Sequence, residues 1–175
     1  SSMKLSKLVK KFTLISLAVF SLHQSCFAGN GVFSNVREHG EWITGSFAFD
    51  GQKTARLGSK YTQNNVGLFL DFLSPELYLI EVIRTNDIPD RGMEPKYYLT
   101  DMTIAVDNKY SISFEAKCAE DDTLHECFVP QSKNDELIRQ FKKGNEVSFK
   151  IGDFDLYFSL YGFSKAFYRA SRLVK

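Results

Sequence analysis

Residues 98–116 read YLTDMTIAVDNKYSISFEA, and the fold follows from their period. Tyr98, Thr100, Met102, Ile104 and Val106 take alternate positions up to Asp107-Asn108, and Tyr110, Ile112, Phe114 and Ala116 take alternate positions beyond it. A period of two puts each set on one face of a strand, and a short polar pair between two such runs is a hairpin signal. This stretch predicts an antiparallel pair.

Upstream, residues 85–95 contain Pro89, Gly92 and Pro95, which interrupt any regular ladder and predict an exposed loop. Before it, residues 66–73 and 77–83 are apolar runs separated by Ser74-Pro75, short and rich in branched and aromatic residues, and they read as strands. Ile43, Phe47 and Phe49 precede Asp50-Gly51, which reads as a strand entering a turn. Downstream, residues 134–143 predict a helix: Leu137, Ile138 and Phe141 share a face, Asp135 and Glu136 open it, Lys142 and Lys143 close it, and Gly144 stops it. Val147, Phe149 and Ile151 then alternate into Gly152-Asp153, and Phe154, Leu156, Phe158 and Leu160 alternate out. A helix from Ser164 would set Phe163, Ala166, Phe167 and Ala170 against the sheet. The fold class is mainly β: an antiparallel β-sandwich or rolled sheet with one internal helix and a short C-terminal helix.

The first 28 residues carry a different signal. Lys4, Lys7, Lys10 and Lys11 precede an apolar run at residues 12–22, and Cys26-Phe27-Ala28 places small residues three and one before a cut. That is the pattern of a secretory signal peptide, with an apolar core well short of the roughly 20 residues of a membrane-spanning helix. Residues 1–28 are read as a leader, 29–40 as a flexible lead-in rich in Gly and Asn, and 41–175 as one β-rich domain. Lipid attachment at Cys26 is the rival reading, but His23, Gln24 and Ser25 do not fit the usual acceptor. The expected location is periplasmic, outer-membrane-associated or secreted.

Four of the 22 basic residues and none of the 21 acidic ones lie in the leader, which leaves 18 against 21. This argues against nucleic acid, whose binding needs concentrated Lys and Arg. Arg169, Arg172 and Lys175 read first as favourable charge at a helix end and second as a peripheral contact with an anionic membrane. Cys118 and Cys127 remain after cleavage and are expected to pair in an oxidising compartment. A loop of this length gains about 2.5–3 kcal/mol on the chain-entropy account.

Residues 119–126 place Glu120, Asp121, Asp122, His125 and Glu126 between the cysteines and read as a solvated acidic loop. Their spacing matches no standard calcium loop, and zinc on Cys118, His125 and Cys127 would compete with the disulfide. No metal and no cofactor is expected. Serine chemistry would need a base near the nucleophile, and His39 and His125 are the histidines outside the leader. No nucleophile-elbow or phosphate-binding glycine motif occurs. Tyr97, Tyr98 and Tyr161, with Arg84, Arg91 and Lys96 around the Pro-containing loop, are the candidate partner contacts.

From Cys118 the chain runs through Cys127, a helix ending Phe141-Lys142-Lys143-Gly144, a strand pair, and Ser159-Leu160-Tyr161-Gly162-Phe163. This resembles the invasion-associated locus B family of exported bacterial proteins, in which a close cysteine pair precedes a helix ending in Lys-Gly and a Ser-Leu-x-Gly-Phe segment closes the domain. Glu41-Trp42 is similar to the family's early Gly-Asp-Trp segment, and residues 65–68 to its first central strand. The family often has a further early cysteine pair, and residues 29–117 contain no cysteine. The resemblance implies a mainly β envelope or secreted protein, linked in some pathogens to host-cell entry, with no catalytic residues. The function expected is a non-catalytic exported domain that binds a protein partner in the envelope or on a host cell. The alternatives are a fixed component of a secretion or surface assembly, and a small hydrolase or ligand carrier.

Overall fold

The computed structural model describes residues 33–49, 52–61, 64–86 and 91–175. The leader and the Asp50-Gly51 turn lie outside the described residues. Among the described residues, ten antiparallel strands form one open sheet. They are β1 (Ser34–His39), β2 (Trp42–Phe49), β3 (Gln52–Ser59), β4 (Val66–Phe72), β5 (Tyr78–Thr85), β6 (Lys96–Val106), β7 (Tyr110–Glu120), β8 (Leu124–Phe128), β9 (Glu146–Ile151) and β10 (Phe154–Ser159). Helix α1 (Asn134–Lys143) lies between β8 and β9, and α2 (Phe163–Leu173) closes the chain. No described helix is long and apolar enough to cross a membrane.

The strand order is β1-β2-β3-β4-β5-β8-β7-β6-β9-β10. Strands β1–β5 run as a meander, and the β6–β7–β8 meander then folds back so that its last strand, β8, pairs with β5. The 98–116 hairpin forms, with Met102 opposite Phe114, Ile104 opposite Ile112 and Val106 opposite Tyr110. Asp107 and Asn108 both take positive φ, 53° and 55°, as a tight hairpin turn matching strand twist requires.

The sheet is rolled. Glu41 N–H donates to Tyr161 O at 3.0 Å, and Trp42 Nε1–H donates to Ser159 O at 3.1 Å, joining the second strand to the end of the tenth. Phe163 of α2 meets the Trp42 ring edge-on at 5.2 Å. At this seam Gly162 has φ +87°, and a Cβ there would collide with the His39 carbonyl oxygen, so the close approach requires glycine. Inside the roll one core joins Trp42, Leu57, Leu70, Ile80, Ile104, Phe149 and Phe158 with the apolar faces of both helices.

The outer face of β3, β4, β5 and β8 is buried too, which explains why β4 and β5 read as continuous apolar runs. On that face Arg56 Nε and Nη2 donate to the two oxygens of Asp71 at 2.7 and 2.8 Å, and Glu81 Oε1 lies 3.8 Å from Arg56 Nη2. All three side chains are fully buried. Burial opposes ionisation of Asp71, but the Arg56 charge and hydrogen bonds overcome it and hold the carboxyl below its usual range. Burial and then the Asp71 charge push Glu81 well above its usual range, so its neutral form is favoured.

Two segments differ from expectation. Residues 34–39, assigned to the lead-in, form β1. Most of its side chains are exposed or only partly buried, so no apolar period marks it, and pairing with β2 orders it. The acidic loop is also not a loop: β7 and β8 run up to a short turn at residues 121–123, where Asp121 Oδ1 accepts from Thr123 N–H and Leu124 N–H. Leu124 and Glu126 are buried on the outer face.

Candidate functional site

Strand alternation gathers a set of side chains at one mouth of the roll. Arg84 on β5 registers with Val66 on β4 and His125 on β8, and Cys127 on β8 registers with Cys118 on β7, which in turn faces Tyr98 on β6. Cys118 and Cys127 are joined by a disulfide across these neighbouring strands, with Cα atoms 4.1 Å apart.

His125 sits at the centre. Tyr98 Oη meets Nε2 and Arg84 Nη2 meets Nδ1, the latter at 3.4 Å. A guanidinium can only donate, so Nδ1 accepts and the neutral ring carries its proton on Nε2, directed at the Tyr98 oxygen. Burial, and then the Arg84 charge, lower the His125 pKa, which agrees with a neutral ring. The imidazole and both sulfurs lie within 4.8 Å of one another, a spacing compatible with a metal, but the sulfurs are engaged in the disulfide.

The opposite wall comes from the β9–β10 hairpin. Ile151, Phe154 and Leu156 face Val66, Val82 and Cys127 across a cavity of about 140 Å³, with Arg84 and His125 at its rim. The Arg84 guanidinium carbon is 5.9 Å from the Phe154 ring centroid. Its Nε is buried with no hydrogen-bond partner, and among the described residues no carboxylate forms an ion pair with Arg84. In a larger polar depression near Asp107, Asn145 and Tyr157, the Asp107 carboxylate is occupied, since it accepts from Asn145 N–H and Glu146 N–H.

The expected contact residues do not form one cluster. Arg84 and Tyr98 converge on His125 inside the mouth. Tyr97 is 67% exposed on the reverse face of β6, whereas Lys96 shares the face of Tyr98 and registers with Glu120. Arg91 is exposed, its backbone N–H donating to Asp122 Oδ2 at 2.6 Å. Tyr161, 73% exposed, stands beside Gly40 at the far end of β10 from Phe154, and so does not join this group. Leu99, 56% exposed beside Tyr97 on the same face, was not among the expected contacts; its position two residues on is the signal that marks it.

A rolled antiparallel sheet closed by a C-terminal helix and stitched by a cross-strand disulfide defines the class of this domain. No family model matches the chain. No curated protein sequence matches it. Among solved structures it is similar to the crystal structure of invasion associated protein B from Bartonella henselae, with a TM-score of 0.54 and 13% identity, over 80% of this chain and 97% of that one. At this identity the likeness is one of fold.

Proposed function

We propose that this chain is an exported, non-catalytic domain that binds a protein partner through the outer face and free edge at the start of β6. One observation carries the reading: Tyr97 and Leu99 are exposed side by side on a strand segment that, among the described residues, is paired on one side only. Strand β7 covers all of β6, whereas β9 pairs with it only at residues 102–106. Residues 96–100 therefore present backbone groups without a partner on that side among the described residues, next to two large apolar side chains. That combination suits an extended partner segment added to the sheet. The likeness to a protein named for its association with invasion supports an envelope or host-facing role, and the disulfide suits an oxidising compartment.

Photo-crosslinking from position 97 or 99 in intact cells, and on host membranes exposed to the purified protein, tests this. The expected result is a discrete adduct from 97 and 99 that is absent from the distant exposed position 161. An adduct pattern the same at all three sites would refute the proposed surface. Mass spectrometry of exported protein should begin at Gly29; an acyl group on Cys26 would replace free export with membrane anchoring.

A further inference from the structure

We infer that the mouth cavity is a binding site for a small apolar carboxylate, held by Arg84 and seated among Val66, Val82, Ile151, Phe154 and Leu156. The argument starts from Arg84. A guanidinium offers a planar fork of N–H groups that matches a carboxylate. Here Nη2 is spent on His125, while Nε is buried and has no acceptor. A buried donor without a partner is costly, and a cation without a counter-charge more so. His125 does not relieve this, because a neutral ring supplies a lone pair but no charge. An anion meeting the guanidinium from the cavity that Arg84 lines would supply an acceptor and the counter-charge.

The cavity sets the rest of the ligand. Beyond Arg84, His125 and Asn64 its walls are aliphatic and aromatic, with the disulfide-bonded Cys127 among them. An apolar-lined cavity of about 150 Å³ accepts benzene, so about 140 Å³ holds one aromatic ring or a short branched chain. Phe154, 58% exposed, stands over the guanidinium at the rim, where a ligand ring would cover it. The shared chemistry is one apolar group bearing one carboxylate, supplied either by a free acid or by a peptide ending in an apolar residue. This site lies on the inner side of the sheet and is independent of the Tyr97 face.

The test is titration of the full chain, disulfide intact, with phenylacetate, phenylacetamide, and a short peptide ending in Phe with either a free or an amidated terminus, read by NMR on the Val, Leu and Ile methyls. Saturable shifts at Val66, Val82, Ile151 and Leu156 are expected with the carboxylates. The amides should bind at least about tenfold more weakly, the loss expected when a charged hydrogen-bonded pair is removed. The tighter of the two carboxylates identifies the source. Arg84→Gln should abolish the preference for carboxylate over amide while leaving the urea midpoint close to that of the parent, and Ile151→Phe, at the half-buried rim, should block both ligand types. Equal binding of acid and amide, no binding of either carboxylate, or an unchanged preference in Arg84→Gln would overturn the assignment.

Discussion

Replacing Arg56 with Met gives the most direct measure of what holds the outer face of the sheet. The guanidinium makes two charge-assisted hydrogen bonds to Asp71 with both side chains out of solvent. Each such bond contributes roughly 1.5–3 kcal/mol, and breaking a buried pair by removing one member costs about 3–5 kcal/mol because the other charge is stranded. The two figures agree, so Arg56→Met should lower the unfolding free energy by about 3–5 kcal/mol. Asp71 contributes stability that is present above its unfolded pKa and lost as pH falls through its depressed folded value. Without Arg56 that contribution reverses, so the gap between the two proteins should widen from about pH 4 to about pH 7. Urea unfolding at both pH values, disulfide intact, measures it. Adding Asp71→Leu removes the stranded acid and should recover a large part of the loss. A cost below about 1 kcal/mol, or a double variant no more stable than Arg56→Met, would refute the account of a buried, mutually dependent pair.

Glu81→Gln should flatten the pH dependence. A carboxyl whose folded pKa is raised favours the fold below its unfolded value and loses that advantage as pH rises through the folded one, so the gain from the substitution should grow with pH in the same urea series. Gly162→Ala should destabilise by more than about 2 kcal/mol, since it combines a left-handed backbone with a collision against His39 O; a thermal midpoint within a degree or so of the parent would contradict the seam geometry. Native protein should resist thiol labelling at Cys118 and Cys127, and reduction should cost up to about 2.5–3 kcal/mol, measured by urea unfolding with and without reductant.

Much of the architecture was legible because local chemistry and global packing agree. The 98–116 hairpin, α1 and the inward face of α2 follow from apolar period and from terminal residues such as Asp135 and Gly144. Strands β1, β3 and β8 were not delimited because none shows a clean apolar alternation. In β8 the text Leu-His-Glu-Cys-Phe alternates a buried outer face with an inner face made of histidine and cysteine, which reads as loop until the disulfide is placed. The mouth was hidden for a topological reason. Arg84 and His125 are 41 residues apart and meet only because β8 folds back onto β5, a pairing no local pattern specifies. One signal for the outer cluster was present: Asp71 and Glu81 each interrupt an otherwise apolar run, and an acid there needs a buried cation such as Arg56.

The seam between Trp42 and Ser159 spans 117 positions of sequence. A ribosome or a translocation channel that delivers the amino end first releases the opening strands long before their last neighbours exist. Until α2 arrives, Trp42 has neither the Ser159 carbonyl nor the Phe163 ring, and the edge of the nascent sheet stays open to other chains. Completion of this domain therefore waits on residues 159–173, and trimming them would leave a sticky half-cylinder instead of a slightly smaller protein.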